Sequence, residues 1–298
     1  MSAALDPLDP LPTRTGPGRG DSITWSEVDV DGRSVRYAVS GVGLPALFLH
    51  GWGLGPNAYR EPIRYMGKAG CRVYAPALPG FGGTPQLPVG HRSFSGYSAW
   101  VGRFLDAVGV DKVSLVAGHS FGGGVATAFV HQQPDRADAL LLANAVGSST
   151  WASLPSGVRT MMQRPAWDWL RFFSTDLLYS THLLRVLPTL LEDFIPNLVH
   201  DPVGMFGTSS FIRRADLVAE VRAIGARHTP VLVAWSDRDR LVPRATFDEL
   251  RHAAGVEGVV VEGSHAWLIA DPRRFGELAL HALADSGALL SRPTLRAV

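Results

Sequence analysis

The stretch Val113-Ser-Leu-Val-Ala-Gly118-His119-Ser120-Phe121-Gly122-Gly-Gly-Val-Ala-Thr-Ala-Phe129 decides how the rest of the chain is read. A continuous apolar run enters it and an alanine-rich run leaves it. Between them sits Ser120, with His119 and Phe121 on either side and Gly118 and Gly122 one residue further out. Taken alone, G-x-S-x-G is weak, since composition produces such a match in roughly one chain in four of this length. Placed between a buried strand and a helix, the pattern acquires a physical meaning. A tight strand-to-helix turn forces the serine backbone into strain and lifts Oγ clear of the sheet. Side chains two residues away would strike the neighbouring strand and helix, so glycines stand there. The plain alternative is a serine that merely caps a helix.

Outward from that point the pattern alternates. Short β-branched or leucine-rich runs occur at 28–39, 46–50, 72–75, 112–117, 139–143, 231–235 and 259–262. Several are continuously apolar, as strands buried on both faces are. Helical patterns lie between them at 57–69, 96–108, 121–133, 246–254 and 272–283. Asp31-Gly32 inside the first run predicts a hairpin, so the sheet opens with an antiparallel pair. The whole predicts a mostly parallel, doubly wound α/β sheet.

One interval breaks the alternation. Residues 147–225 hold no convincing strand, only helical pieces interrupted by Pro155, Pro165, Pro188, Pro196 and Pro202. Trp151, Trp167, Trp169, Phe172, Phe173, Tyr179, Phe194, Phe206 and Phe211 lie there, too apolar a content for disorder. The interval is expected to be a helical cap inserted into an α/β core of residues 23–146 and 226–285. Most of its aromatics glue it to that core, and a few face a pocket at the junction. Residues 1–22 read as a flexible lead-in and 286–298 as a weakly structured tail.

Composition narrows the function. The 298 residues are 46% apolar and 18% charged, the balance of a globular protein. With a net charge of +1 and no basic block, a nucleic-acid partner has no support. Cys71 is the only cysteine, which rules out an intrachain disulfide and favours a reducing compartment. The first residues lack the apolar core of a signal peptide, and the longest apolar run, 139–146, is broken by Asn144 and far too short to span a bilayer. A cytoplasmic protein is expected. There is no P-loop and no H-E-x-x-H, and the glycines at 41–43 precede a strand without completing a dinucleotide fingerprint, so neither cofactor nor metal is called for.

A serine hydroxyl needs a base, and the base needs an orienting acid. His265 lies just beyond the last apolar run, on a loop from which an imidazole can reach across the sheet. His131 and His281 fall inside helical patterns, and His182, His200 and His252 suit a solvated surface. His119 adjoins the serine but should point elsewhere, because neighbouring side chains on a tight turn diverge. Asp237 and Asp239 follow the run at 231–235. Either could pair with Arg238 or Arg240 on the surface, and Asp239, further out on the loop, is the preferred acid.

The order Ser120, Asp239, His265, each after a strand, resembles the α/β-hydrolase superfamily and its lid-bearing serine hydrolases. The resemblance extends to His50-Gly51-Trp52 after the first parallel strand, to Leu78-Pro79-Gly80-Phe81-Gly82, and to the spacing of Asp239 and Pro243. It covers about 28–283. Ala77 departs from it, standing where such proteins often carry Asp. The resemblance implies an oxyanion hole formed by the Phe121 and Trp52 amides, a serine nucleophile suited to acyl carbon, and no cofactor. Relatives that open epoxides or displace halide carry Asp in place of Ser120. Esterase activity on a small or medium apolar ester is the first expectation. Carbon–carbon bond hydrolysis, cofactor-free haloperoxidase or perhydrolase chemistry, and a non-catalytic ligand receptor are the alternatives.

Overall fold

Asp31 and Gly32 both adopt positive φ, +57° and +74°, the backbone that a two-residue hairpin needs to follow strand twist. They join Ile23–Val30 (β1) to Arg33–Ser40 (β2) as an antiparallel pair. The computed structural model describes residues 22–150 and 183–287. Within them Leu44–Leu49 (β3), Cys71–Pro76 (β4), Leu115–His119 (β5), Leu140–Ala143 (β6), Val231–Ser236 (β7) and Val259–Val261 (β8) complete one sheet. Its order is β1-β2-β4-β3-β5-β6-β7-β8. β2 meets β4 antiparallel, and every later neighbour is parallel. Each residue of β5 and β6 is buried, which is why these segments are continuously apolar.

Helices cover both faces. The described helices are Arg60–Lys68 (α1), Phe94–Ala107 (α2), Phe121–Gln132 (α3), Leu183–His200 (α4), Pro202–Ile212 (α5), Val218–Ala226 (α6), Arg244–Ala254 (α7), Trp267–Ala270 (α8) and Pro272–Asp285 (α9), of which α4 and α5 lie over the loop after β3 and not on a face of the sheet. α1 packs on α9, while α2 packs on α3, α3 on α6 and α6 on α7. This is the doubly wound arrangement expected from the alternation. The chain leaves β3 toward β4 on one side and returns to β5 on the other. Such a reversal opens a crevice at the carboxyl ends of the two flanking strands, where ligands bind in open α/β sheets. The loops beginning at His50 and Ser120 both emerge there.

Between β6 and β7 the structure corrects one expectation. Pro188 and Pro196 do not interrupt the helix: α4 runs through both. An internal proline removes a hydrogen bond and crowds the preceding turn. Tertiary contacts offset that cost here, because Val186, Leu190 and Phe194 enter the core and Asp193 and Asn197 are buried and hydrogen-bonded. Pro202 sits at the start of α5, where a missing N–H costs nothing, and Asp201 caps that helix by accepting from the Gly204 amide. All but the last residue of the expected lead-in, most of the tail, Pro155, Pro165 and the aromatics from Trp151 to Tyr179 lie outside the described residues.

Candidate functional site

Ser120 joins β5 to α3 at φ +54° and ψ −117°, left-handed backbone for a residue other than glycine. Strain of this kind costs on the order of 1–3 kcal/mol and must be held by its surroundings. The holding contacts are visible. Ser120 N–H donates to Ala143 O at 3.0 Å, and Val146 N–H donates to Ser120 O at 3.3 Å, tying the turn to the end of β6. A Cβ at Gly118 would lie 2.3 Å from Gly122 O, and one at Gly122 would lie 2.2 Å from Leu49 O. Only hydrogen fits at either place, which accounts for the spacing of the two glycines around the serine.

His265 Nδ1 lies 2.8 Å from Asp239 Oδ2, and the Asp239 side chain is fully buried. Asp239 Oδ1 accepts from the amides of Leu241 and Val242 at 2.7 and 2.9 Å, and Oδ2 also accepts from Asn144 Nδ2. Every partner of this carboxylate is a donor, so His265 carries its proton on Nδ1 and presents Nε2 as a base. Asp237 stands apart. Its carboxylate accepts from Gly263 N–H and pairs with Arg238 at the surface.

Asn144 holds the Asp239 carboxylate in place. It leaves β6 at φ +45°, donates to Ser236 Oγ and Asp239, and accepts from Trp267 Nε1 at 2.7 Å. Sequence patterning passed over it, although it is the one polar residue in the apolar run 139–146.

The loop after β3 runs beside the serine, with Gly51 positioned so that a Cβ there would lie 3.6 Å from Ser120 Cβ. Leu78 N–H donates to His50 Nε2 at 2.9 Å, so the ring proton is on Nδ1 and faces Gly51 O at 2.9 Å. Burial lowers the His50 pKa to about 4, with the Gly51 bond opposing, and the ring stays neutral. Gly51 C=O and Trp52 N–H belong to one trans peptide and point in opposite directions. Anchoring the carbonyl therefore aims the amide. Phe121 N–H is the first amide of α3, where a helix leaves its donors without intrahelical partners and its dipole favours negative charge. Both Trp52 and Phe121 thus carry amides at the same edge as Ser120.

His119 does more than point away. Its Nε2–H donates to the His265 carbonyl at 2.9 Å, and Tyr59 OH donates to Nδ1 at 2.8 Å while accepting from Gly51 N–H at 3.2 Å. Burial, reinforced by the nearby His265, holds the His119 pKa well below the ordinary histidine value. One chain of hydrogen bonds thereby links the β3 loop, the serine turn and the His265 loop. Phe194 of α4 packs on Trp52, and Phe211 of α5 packs on Phe121, Phe94 and Tyr97. Among the described residues no three His, Cys, Asp or Glu side chains group as metal ligands, and no helix is long and apolar enough to cross a membrane.

A family model described as "Alpha/beta hydrolase family" matches residues 46–278. The "Putative non-heme haloperoxidase" of Mycobacterium phage D29 is 28% identical over 261 residues, covering 86% of this chain and 93% of its own. A 2-hydroxymuconate semialdehyde hydrolase of Pseudomonas putida is 27% identical over 265 residues, covering 84% and 91%. Among solved structures, a meta-cleavage product hydrolase from Pseudomonas fluorescens IP01 superposes with a TM-score of 0.74 at 21% identity, covering 88% of this chain and 98% of that one. That last likeness is one of fold.

Proposed function

The chain belongs to the alpha/beta hydrolase family, and from that premise we propose that it is a serine hydrolase cleaving a small or medium apolar carboxylic ester. His265 Nε2 takes the Ser120 proton as Oγ attacks the carbonyl carbon. Charge growing on the carbonyl oxygen meets the Trp52 and Phe121 amides. Asp239 steadies the imidazolium, which then protonates the departing alcohol. Water, deprotonated by the same imidazole, attacks the acyl-enzyme, and the imidazolium returns that proton to Ser120 Oγ as the carboxylic acid leaves. These steps call on no metal or organic cofactor. Phe194 and Phe211, packed on the two amide-bearing residues, favour an apolar substrate group and fit a cap over the crevice at 147–225. A reducing, cytoplasmic setting, suggested by the buried lone Cys71, belongs to the same proposal.

The observation that carries the proposal is the 2.8 Å pairing of His265 Nδ1 with a buried, donor-saturated Asp239, which fixes the tautomer whose basic nitrogen is Nε2, on a loop at the edge where Ser120 emerges. Fluorophosphonate labelling and p-nitrophenyl ester turnover test it. The wild type should be labelled on Ser120 and turn over the butyrate ester, and Ser120→Ala should do neither. Turnover that survives Ser120→Ala would overturn the assignment. A second reading, hydrolysis of a carbon–carbon bond, is favoured by the relative that acts on 2-hydroxymuconate semialdehyde. It takes precedence if that substrate gives a higher kcat/KM than the best ester of a chain-length panel.

A further inference from the structure

Gly51-Trp52-Gly53-Leu54-Gly55 places three glycines in five residues, more than the turn out of β3 requires. Two of them face the helices between β6 and β7. A Cβ on Gly53 would stand 3.1 Å from the Phe194 ring and 3.3 Å from Met205 Cε. One on Gly55 would stand 3.3 Å from Asp193 Oδ2. The loop is bare where α4 and α5 come down on it.

Those helices bring polar groups to the bare loop. Asp193 and Asn197 lie four residues apart on one face of α4 and are only 9% and 6% exposed. Asp193 Oδ2 accepts from Gly55 N–H at 3.0 Å and Ala58 N–H at 2.7 Å. Asn197 Nδ2 donates to Gly53 O at 3.0 Å, and its Oδ1 accepts from Gly82 N–H at 2.7 Å. Two side chains of the insert thus satisfy four main-chain groups in two loops of the core. Trp52 Nε1 donates to Met205 O at 2.9 Å, and Arg60 pairs with Glu192 at the rim. Burial raises the Asp193 pKa against the pull of the Ala58 and Gly55 amides, so the carboxylate sits there at a cost.

The arch 51–55 is therefore pinned from two sides. His50 holds its first peptide from within the core, and α4 holds Gly53 and Gly55 from outside. Trp52 stands between the two anchors. We propose that Asp193 and Asn197 are positioning residues for the oxyanion hole, so that the insert, and not the core alone, sets where the Trp52 amide stands. This deepens the ester-hydrolase reading and rests on it.

The full-length protein and its Asp193→Ala, Asp193→Asn and Asn197→Ala variants test the proposal with p-nitrophenyl butyrate, alongside amide hydrogen exchange at Gly55, Ala58 and Gly82. Both alanine variants should lower kcat by about tenfold to a hundredfold with KM changed less than about threefold, since a misplaced donor is felt chiefly in the transition state. Exchange should quicken at Gly55 and Ala58 in the Asp193 variant and at Gly82 in the Asn197 variant. Asp193→Asn keeps an acceptor oxygen for both amides and should restore kcat to within about threefold of the wild type. Alanine variants with wild-type kcat overturn the proposal, as does Asp193→Asn as slow as Asp193→Ala. If Asp193→Ala does not fold, Asn197→Ala and Asp193→Asn carry the same comparison. A wild type inert toward ester and fluorophosphonate instead overturns the ester-hydrolase reading, a result distinct from an active wild type with unaffected variants.

Discussion

Acidification should weaken the fold through His50, and replacing that residue by asparagine should remove much of the effect. Burial holds the His50 pKa at about 4, against 6.5 for the free side chain. Between those values the unfolded chain binds a proton that the fold refuses, so stability is full above about pH 6.5 and falls as pH drops toward 4. At about 1.4 kcal/mol per pKa unit, the whole span is worth about 3 kcal/mol, of which about 2 kcal/mol is lost between pH 7.5 and 5. His119, shifted the same way by burial, adds to the slope. Urea unfolding at the two pH values measures the loss, and with a denaturant dependence of about 2 kcal/mol per molar the His50 share moves the midpoint by about 1 M. Asparagine keeps a donor toward Gly51 O and does not titrate. The His50→Asn protein, less stable in itself because Leu78 N–H loses its acceptor, should show a pH dependence smaller by about 2 kcal/mol. If the two proteins lose stability in parallel from pH 7.5 to 5, the neutral, desolvated His50 described above is wrong.

Asp239→Asn should lower kcat by about a thousandfold to ten-thousandfold through loss of the imidazole tautomer, whereas Asp237→Asn should stay within about twofold, both read as kcat on one saturating ester. The opposite ranking would reassign the acid. Asn144→Ala should lower kcat by about tenfold and destabilise the fold by about 1–3 kcal/mol, because Trp267 Nε1 loses its acceptor. An unchanged melting temperature together with unchanged kcat would show that this network is idle. Gly122→Ala drives a methyl to 2.2 Å from Leu49 O and should cost about 3 kcal/mol or more in thermal stability, so a soluble variant melting near the wild type contradicts the tight turn.

What the sequence made legible is what neighbouring residues dictate. The hairpin followed from Asp31-Gly32, the buried strands from unbroken apolar runs, and the Ser120 turn from glycines two residues on either side. Its place further out on the loop and the family resemblance in its spacing to Pro243 favour Asp239 over Asp237, and it is Asp239 that meets His265. Hidden from sequence were side chains whose partners are distant. Tyr59 meets His119 across 60 residues, and Asp193 meets Gly55 across 138. On the chain itself Asp193 and Asn197 look like a solvated pair at helical spacing, and nothing local says that they face bare amides. α4 shows the same limit, since local rules break it at Pro188 and Pro196 and only its tertiary contacts sustain it.

The backbone at Ser120 keeps its φ of +54° because Gly118 and Gly122 let strand, turn and helix close around it. The hydroxyl contributes nothing to that closure. The site is thus a socket, indifferent to which short, unbranched side chain it delivers. Cysteine or aspartate would ride the same frame to the same spot, while threonine, branched at Cβ, would resist the positive φ. On such a scaffold the backbone, and not the hydroxyl, sets where the side chain stands.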